Sequence, residues 1–109
     1  MTRLWTEAKP ETGRRMVIAL SEEEQQAYVD GRPCRLTAQE YRLLLVLANH
    51  PGSVLSRDLL LCRAWDYASP GKSRTVDVHV QRLRRKMGFF LFETVHGQGY
   101  KLRAQPLMI

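Results

Sequence analysis

The fifteen residues from Ser73 to Met87 constrain this chain more than any other segment. Val76, Val80, Leu83 and Met87 recur at intervals of 4, 3 and 4, which puts them on one face of an α-helix. At about 100° per residue, the opposite face carries Arg74, Val78, Gln81, Arg82 and Arg85. Thr75, His79 and Lys86 line one flank; Asp77 and Arg84 line the other. Ser73 reads as the N-cap and Gly88 as the C-terminal stop. Such a helix must bury its apolar stripe against other elements. What it leaves outside is three arginines, an amide and a valine, not the usual solvated mixture of both charge signs.

Two further helices precede it. Thr37-Ala38-Gln39-Glu40 is a capping box, in which Thr37 satisfies the N–H of Glu40 and Glu40 reaches back to Thr37. Leu36 and Tyr41 fit the flanking hydrophobic staple. The run from Tyr41 to Ala48 is apolar almost all round, as in a buried helix, and Asn49-His50-Pro51-Gly52 ends it. Ser56 caps a shorter helix from Arg57 to about Trp65, with Leu59, Leu60, Cys62, Ala64 and Trp65 on its core side. The turn formers of 66–72 make a loop.

Strands stand at both ends. Residues 1–36 read as an N-terminal sheet: a run at Arg15 to Leu20, another at Gln26 to Val29, and a return at Arg32 to Leu36. Leu4-Trp5-Thr6 begins the sheet, and Ala8 to Gly13 reads as a turn. Asp30-Gly31 is a two-residue hairpin signal, because both centres of that turn take positive φ. Pro33 places its strand at an edge. After Gly88, residues 92–103 form a hairpin with its tip at His96-Gly97-Gln98-Gly99, and 104–109 trail as a tail. Phe89, Phe90 and Phe92 have core packing as their default role and an apolar contact surface as the alternative.

Of the 109 residues, 44% are hydrophobic and 26% charged, as in an ordinary globular domain. The length allows a single domain with one modest core. No apolar run is long enough to span a membrane, and the N-terminus lacks a signal-peptide core, so the chain reads as cytoplasmic. Cys34 and Cys62 form no metal motif and read as reduced thiols in a core. No cofactor motif is present. The acidic residues are scattered, and Glu22-Glu23-Glu24 sits in a turn without a nearby histidine, which argues against an enzyme. The basic helix has no opposing Trp/Phe face for membrane insertion.

The net charge of +6 is localised. Residues 72–103 hold eight basic and two acidic side chains, whereas 1–71 hold nine of each. A localised positive field suits a polyanion. Three helices followed by a hairpin, the last helix basic on its outer face, is the arrangement of a winged helix-turn-helix. Such a helix fits the DNA major groove. There arginine pairs with guanine, glutamine pairs with adenine, and an apolar side chain meets the thymine methyl. The alternative is a winged-helix protein-interaction module whose basic face binds an acidic protein.

Four segments carry a resemblance that runs over nearly the whole chain: LTAQEYRLLLVLANHPGSVLSRDLL at 36–60, AW at 64–65, SRTVDVHVQRLRRKMG at 73–88 and ETVHGQGYKL at 93–102. The chain resembles the OmpR/PhoB-type effector domains of bacterial two-component response regulators. The third segment is the most specific; the fourth follows the family's T-V-R-G-x-G-Y wing except at His96. The resemblance implies an α+β fold with a four-stranded antiparallel N-terminal sheet, three helices and a C-terminal β-hairpin wing. Residues 37–103 then form the winged helix-turn-helix, with recognition helix 73–87 and wing 92–103. It also implies sequence-specific binding to promoter duplex DNA, as head-to-tail copies on direct repeats.

By the same resemblance, Val78, Gln81, Arg82 and Arg85 meet bases. Arg74, Thr75, His79, Arg84 and Lys86 meet the backbone, as do Thr94 and Tyr100 in the wing. His96 stands where the family places a minor-groove arginine, and a neutral imidazole is shorter and offers one donor. Loop 66–72 matches the segment that can touch RNA polymerase in the family. The family also carries an N-terminal receiver domain, for which the 36 residues ahead of the first helix leave no room.

Overall fold

The N-terminal sheet is organised by the turn at Asp30-Gly31. The structure, a computed structural model, describes residues 7–8, 16–65, 73–104 and 106–109. Asp30 and Gly31 have φ of 52° and 81°. Two successive positive values match the twist of the flanking strands, so β3 (Gln26–Val29) returns directly as β4 (Arg32–Cys34). β2 (Met16–Ser21) pairs antiparallel with β3, and β1 (Glu7–Ala8) pairs antiparallel with the start of β2. The order β1-β2-β3-β4 leaves β4 at an edge, where Pro33 costs no ladder bond on the open side. Ala8, expected in a turn, thus belongs to a strand; Leu4 to Thr6 lie outside the described residues.

The expected tail is not free. Leu107–Met108 form β7, which runs parallel to β2 with Leu107 opposite Ala19 and Met108 opposite Leu20. Ile109 N–H donates to Leu20 O at 2.7 Å. β1 covers only Met16 and Val17 on that side of β2, and β7 covers backbone groups further along the same edge.

α1 (Ala38–Ala48) starts on the capping box. Glu40 N–H donates to Thr37 Oγ1 at 3.1 Å, and Thr37 N–H donates to Glu40 Oε1 at 2.9 Å. α2 (Arg57–Trp65) is capped by Ser56 Oγ, which accepts from Leu59 N–H at 3.0 Å. α3 (Arg74–Met87) departs from expectation at its start: Ser73 already has helical φ and ψ, and its side chain makes no capping bond. Gly88, at φ 125°, ends α3, and a 3-10 turn over Phe89–Leu91 leads to β5 (Phe92–Val95) and β6 (Gly99–Leu102).

The core lies where the three helices meet. Val76, Val80, Leu83 and Met87 are buried against Leu43, Leu44 and Leu47 of α1 and Leu60, Leu61 and Ala64 of α2. Burying each large side chain stabilises the fold by about 1.5–3 kcal/mol. Leu91, Phe92 and Leu102 close this core from the wing side; Ile18, Leu20 and Ala27 close it from the sheet. The side-chain amide of Gln26 joins sheet to helix, donating to Leu36 O at 3.2 Å and accepting from Leu36 N–H at 2.9 Å. Cys34 is half-buried and Cys62 exposed, so neither is a fully buried core thiol. The three phenylalanines part company: Phe92 is in the core, Phe90 is half-buried beneath Arg103, and Phe89 is 67% exposed.

Candidate nucleic-acid interface

Burial of its stripe forces the opposite side of α3 outward. Arg74, Val78, Gln81, Arg82 and Arg85 are all exposed, Val78 at 48%. Among the described residues, none of these three arginines has a carboxylate within ion-pair distance. Thr75 and His79 are half-buried on the flank. His79 Nδ1 lies 2.9 Å from Thr75 O, and its ring meets Trp65 edge-on at 4.9 Å. A carbonyl oxygen only accepts, so Nδ1 carries the proton of that bond.

Two expected backbone contacts on α3 are turned to other work. Arg84 is 8% exposed, and its Nη2 donates to Phe92 O and to Thr94 Oγ1, each at 2.8 Å. Its guanidinium carbon lies 4.4 Å from the centroid of Phe89 and 5.8 Å from that of Tyr100. Burial pulls its pKa below the usual guanidinium value, and the side chain remains cationic. The helix flank bearing Arg84 faces the wing, so the expected phosphate contact falls on a side chain already bonded within the fold. Lys86 Nζ donates to Glu40 Oε1 at 2.6 Å, pairing with a carboxylate that is itself 1% exposed. Burial pushes the Glu40 carboxyl up. Lys86 and the Thr37 amide pull it down further, so it sits below the ordinary carboxylate value.

The wing is tied to the helices by backbone and side chain. Leu55 N–H donates to Tyr100 O at 2.8 Å and Tyr100 N–H to Leu55 O at 3.0 Å, so the segment before α2 lies beside β6 as a third edge. At Gly99, φ is 149°, and a Cβ there would stand 2.0 Å from Leu55 O, so only glycine fits. Tyr100 OH donates to Asp77 Oδ1 at 2.6 Å, and Arg57 Nε donates to the same oxygen at 2.9 Å. Burial, then Asp77, raises the Tyr100 pKa, while Asp77 raises that of Arg57. Tyr100, expected as a backbone contact, is therefore buried with its hydroxyl engaged by Asp77. Thr94 and His96 are exposed. Lys101 and Arg103 both pair with Glu93, at 3.3 and 3.6 Å. A groove of about 440 Å³ separates the wing tip from the starts of α2 and α3, lined by Ser56, Arg57, Ser73, Thr94, His96 and Gln98 among others.

Sequence reasoning marked the outer face of α3 but missed the ties beneath it: Glu40 to Lys86, Asp77 to Arg57 and Tyr100, and Arg84 to β5. Loop 66–72 lies outside the described residues. Among the described residues no group of three His, Cys, Asp or Glu side chains could hold a metal, and no helix is long and apolar enough to cross a membrane.

The family model described as "Transcriptional regulatory protein, C terminal" matches residues 31–102. The transcriptional regulatory protein CseB of Streptomyces coelicolor is 61% identical over 74 residues, covering 68% of this chain and 32% of that protein. The chain spans about a third of the length of the curated relatives it matches. The DNA-binding domain of CpxR from E. coli superposes with a TM-score of 0.69 at 34% identity, over 80% of this chain and 88% of that one. The DNA-binding domain of AdeR, solved in complex with an intercistronic region, does so with a TM-score of 0.68 at 30% identity, over 78% and 90%. With its sheet, three helices and hairpin in the same order, the chain belongs to the OmpR/PhoB-type family of winged-helix effector domains of response regulators.

Proposed function

We propose that this domain is the DNA-reading part of a transcription regulator. It binds duplex DNA sequence-specifically, with α3 in the major groove and the wing on the adjacent backbone or minor groove. The observation that carries this reading is the outer face of α3: Arg74, Arg82 and Arg85 lack carboxylate partners among the described residues, and Gln81 and Val78 lie exposed beside them. A free arginine fork reads guanine, a glutamine amide reads adenine, and valine meets the thymine methyl. Arg82 and Arg85 meet bases, with Gln81 and Val78. Arg74, at the first turn, meets phosphate with Thr75 and His79 beside it, and Thr94 and His96 approach from the wing. The complex of the AdeR DNA-binding domain with an intercistronic region supports DNA as the partner.

The domain acts in the cytoplasm, as head-to-tail copies on direct repeats, and loop 66–72 is the segment offered to RNA polymerase. Selection from a pool of random duplexes tests the reading. The expected product is a short motif recovered as a direct repeat, bound with an affinity that falls as salt rises. Recovery of no motif, with no salt-dependent binding to any duplex, would remove DNA as the partner.

A further inference from the structure

The geometry points to Arg84 as a positioning residue that sets the wing against the recognition helix. Its effect on DNA affinity rests on the function proposed above; the coupling itself belongs to the free protein. Two hydrogen bonds leave one nitrogen, Nη2, and end on β5: one on the Phe92 carbonyl, one on the Thr94 hydroxyl. Phe92 and Thr94 are two residues apart on one strand, so their acceptors lie on the same stretch of it. Both bonds are charge-assisted, in surroundings from which water is largely excluded. The helix therefore cannot tilt or slide relative to the wing without breaking them.

A buried cation normally demands an anion, and among the described residues none pairs with Arg84. Its Nε is buried without a hydrogen-bond partner. Aromatic rings provide the compensation: Phe89 lies at 4.4 Å and Tyr100 at 5.8 Å, each offering the negative face of its π-system. This gives Phe89 a role that an exposed phenylalanine otherwise lacks. It covers the guanidinium and holds the fork toward β5. Arginine suits this place because one planar group reaches two acceptors and stacks on rings, which the point charge of lysine cannot reproduce. The same wing strand bears Thr94 and leads to His96, so the position of the wing on DNA follows from the Arg84 clamp.

The test uses three variants. In amide hydrogen exchange without DNA, Arg84→Met is expected to speed β5 and β6 about tenfold or more relative to α1. Phe89→Ala, at a surface position that threatens no core packing, shifts the same amides in the same direction by less. Arg84→Lys keeps the charge but is expected to behave like Arg84→Met, both in wing exchange and in affinity for the selected duplex. If lysine restores the affinity while wing exchange never departs from that of α1 in any variant, Arg84 is a phosphate contact and the proposal fails. If the parent protein binds no duplex yet the wing exchange shifts as described, the coupling stands and the DNA reading falls.

Discussion

The outer face of the recognition helix carries three basic side chains and its junction with the wing, together with the wing itself, carries four, and the two regions use them in opposite ways. On the outer face of α3, Arg74, Arg82 and Arg85 have no carboxylate partner among the described residues. At the junction and in the wing, every lysine and arginine is engaged: Arg84 by β5 and two rings, Lys86 by Glu40, Lys101 and Arg103 by Glu93. The +6 of residues 72–103 already counts Glu93, and Glu40 from outside that segment offsets Lys86, so exposed charge without a carboxylate partner among the described residues concentrates on the outer face of α3. Charge on the outer face of the helix is available for recognition; of the rest, Arg84 joins the helix to the wing, Lys86 joins it to α1, and Lys101 and Arg103 pair within the wing.

The most damaging way to break this contrast is to dislocate the wing. Gly99→Ala sets a Cβ 2.0 Å from backbone Leu55 O at a φ of 149°. A backbone atom cannot yield as a flexible side chain can, so a loss of about 3 kcal/mol or more is expected in denaturant melts. Next is Lys86→Met, which strands the buried Glu40 carboxylate. Removing one member of a buried pair costs about 3–5 kcal/mol, and the 36% exposure of the lysine side chain reduces this to about 2. This loss depends on pH. Folding lowers the Glu40 pKa below its ordinary 4.5, so the stabilisation is complete above that value and disappears as pH falls through the folded pKa. Melts at pH 7 and pH 3 should show the gap between parent and variant closing at the lower pH; a constant gap would contradict the pairing. Smallest is Glu93→Gln, which frees Lys101 and Arg103. These partly exposed pairs are worth under about 1 kcal/mol, so stability barely changes. Binding to unrelated duplex should tighten several-fold and become steeper in salt, and an unchanged slope would mean the wing lies clear of DNA.

What could be read from the sequence is what is local. The Thr37 capping box closes within four residues, and Asp30-Gly31 sets its turn alone. The apolar stripe of α3 fixed which face turns outward before any neighbour was known. Angular arithmetic also placed Asp77 and Arg84 on one shared flank, but what a flank faces depends on where the chain goes after Gly88. It returns as the wing, so that flank meets Tyr100, Phe92 and Thr94. Lys86 and Glu40 are 46 residues apart, a pairing that only packing of α1 against α3 creates. β7 is two residues long and earns its place through an open edge of β2, which no periodicity could reveal. Ser73 has the residue type of a cap, but its backbone is already helical.

In the proposed DNA-bound state the outer face of α3 reads sequence while the backbone contacts only hold the duplex. Affinities of the parent, Arg82→Ala and Arg74→Ala are to be measured at one salt concentration on the selected duplex and on an unrelated one. Arg82→Ala is expected to lose about 1–3 kcal/mol on the selected duplex and almost nothing on the other. Arg74→Ala is expected to weaken both alike. Equal loss on both duplexes for Arg82→Ala, or no loss on the selected one, would contradict the account.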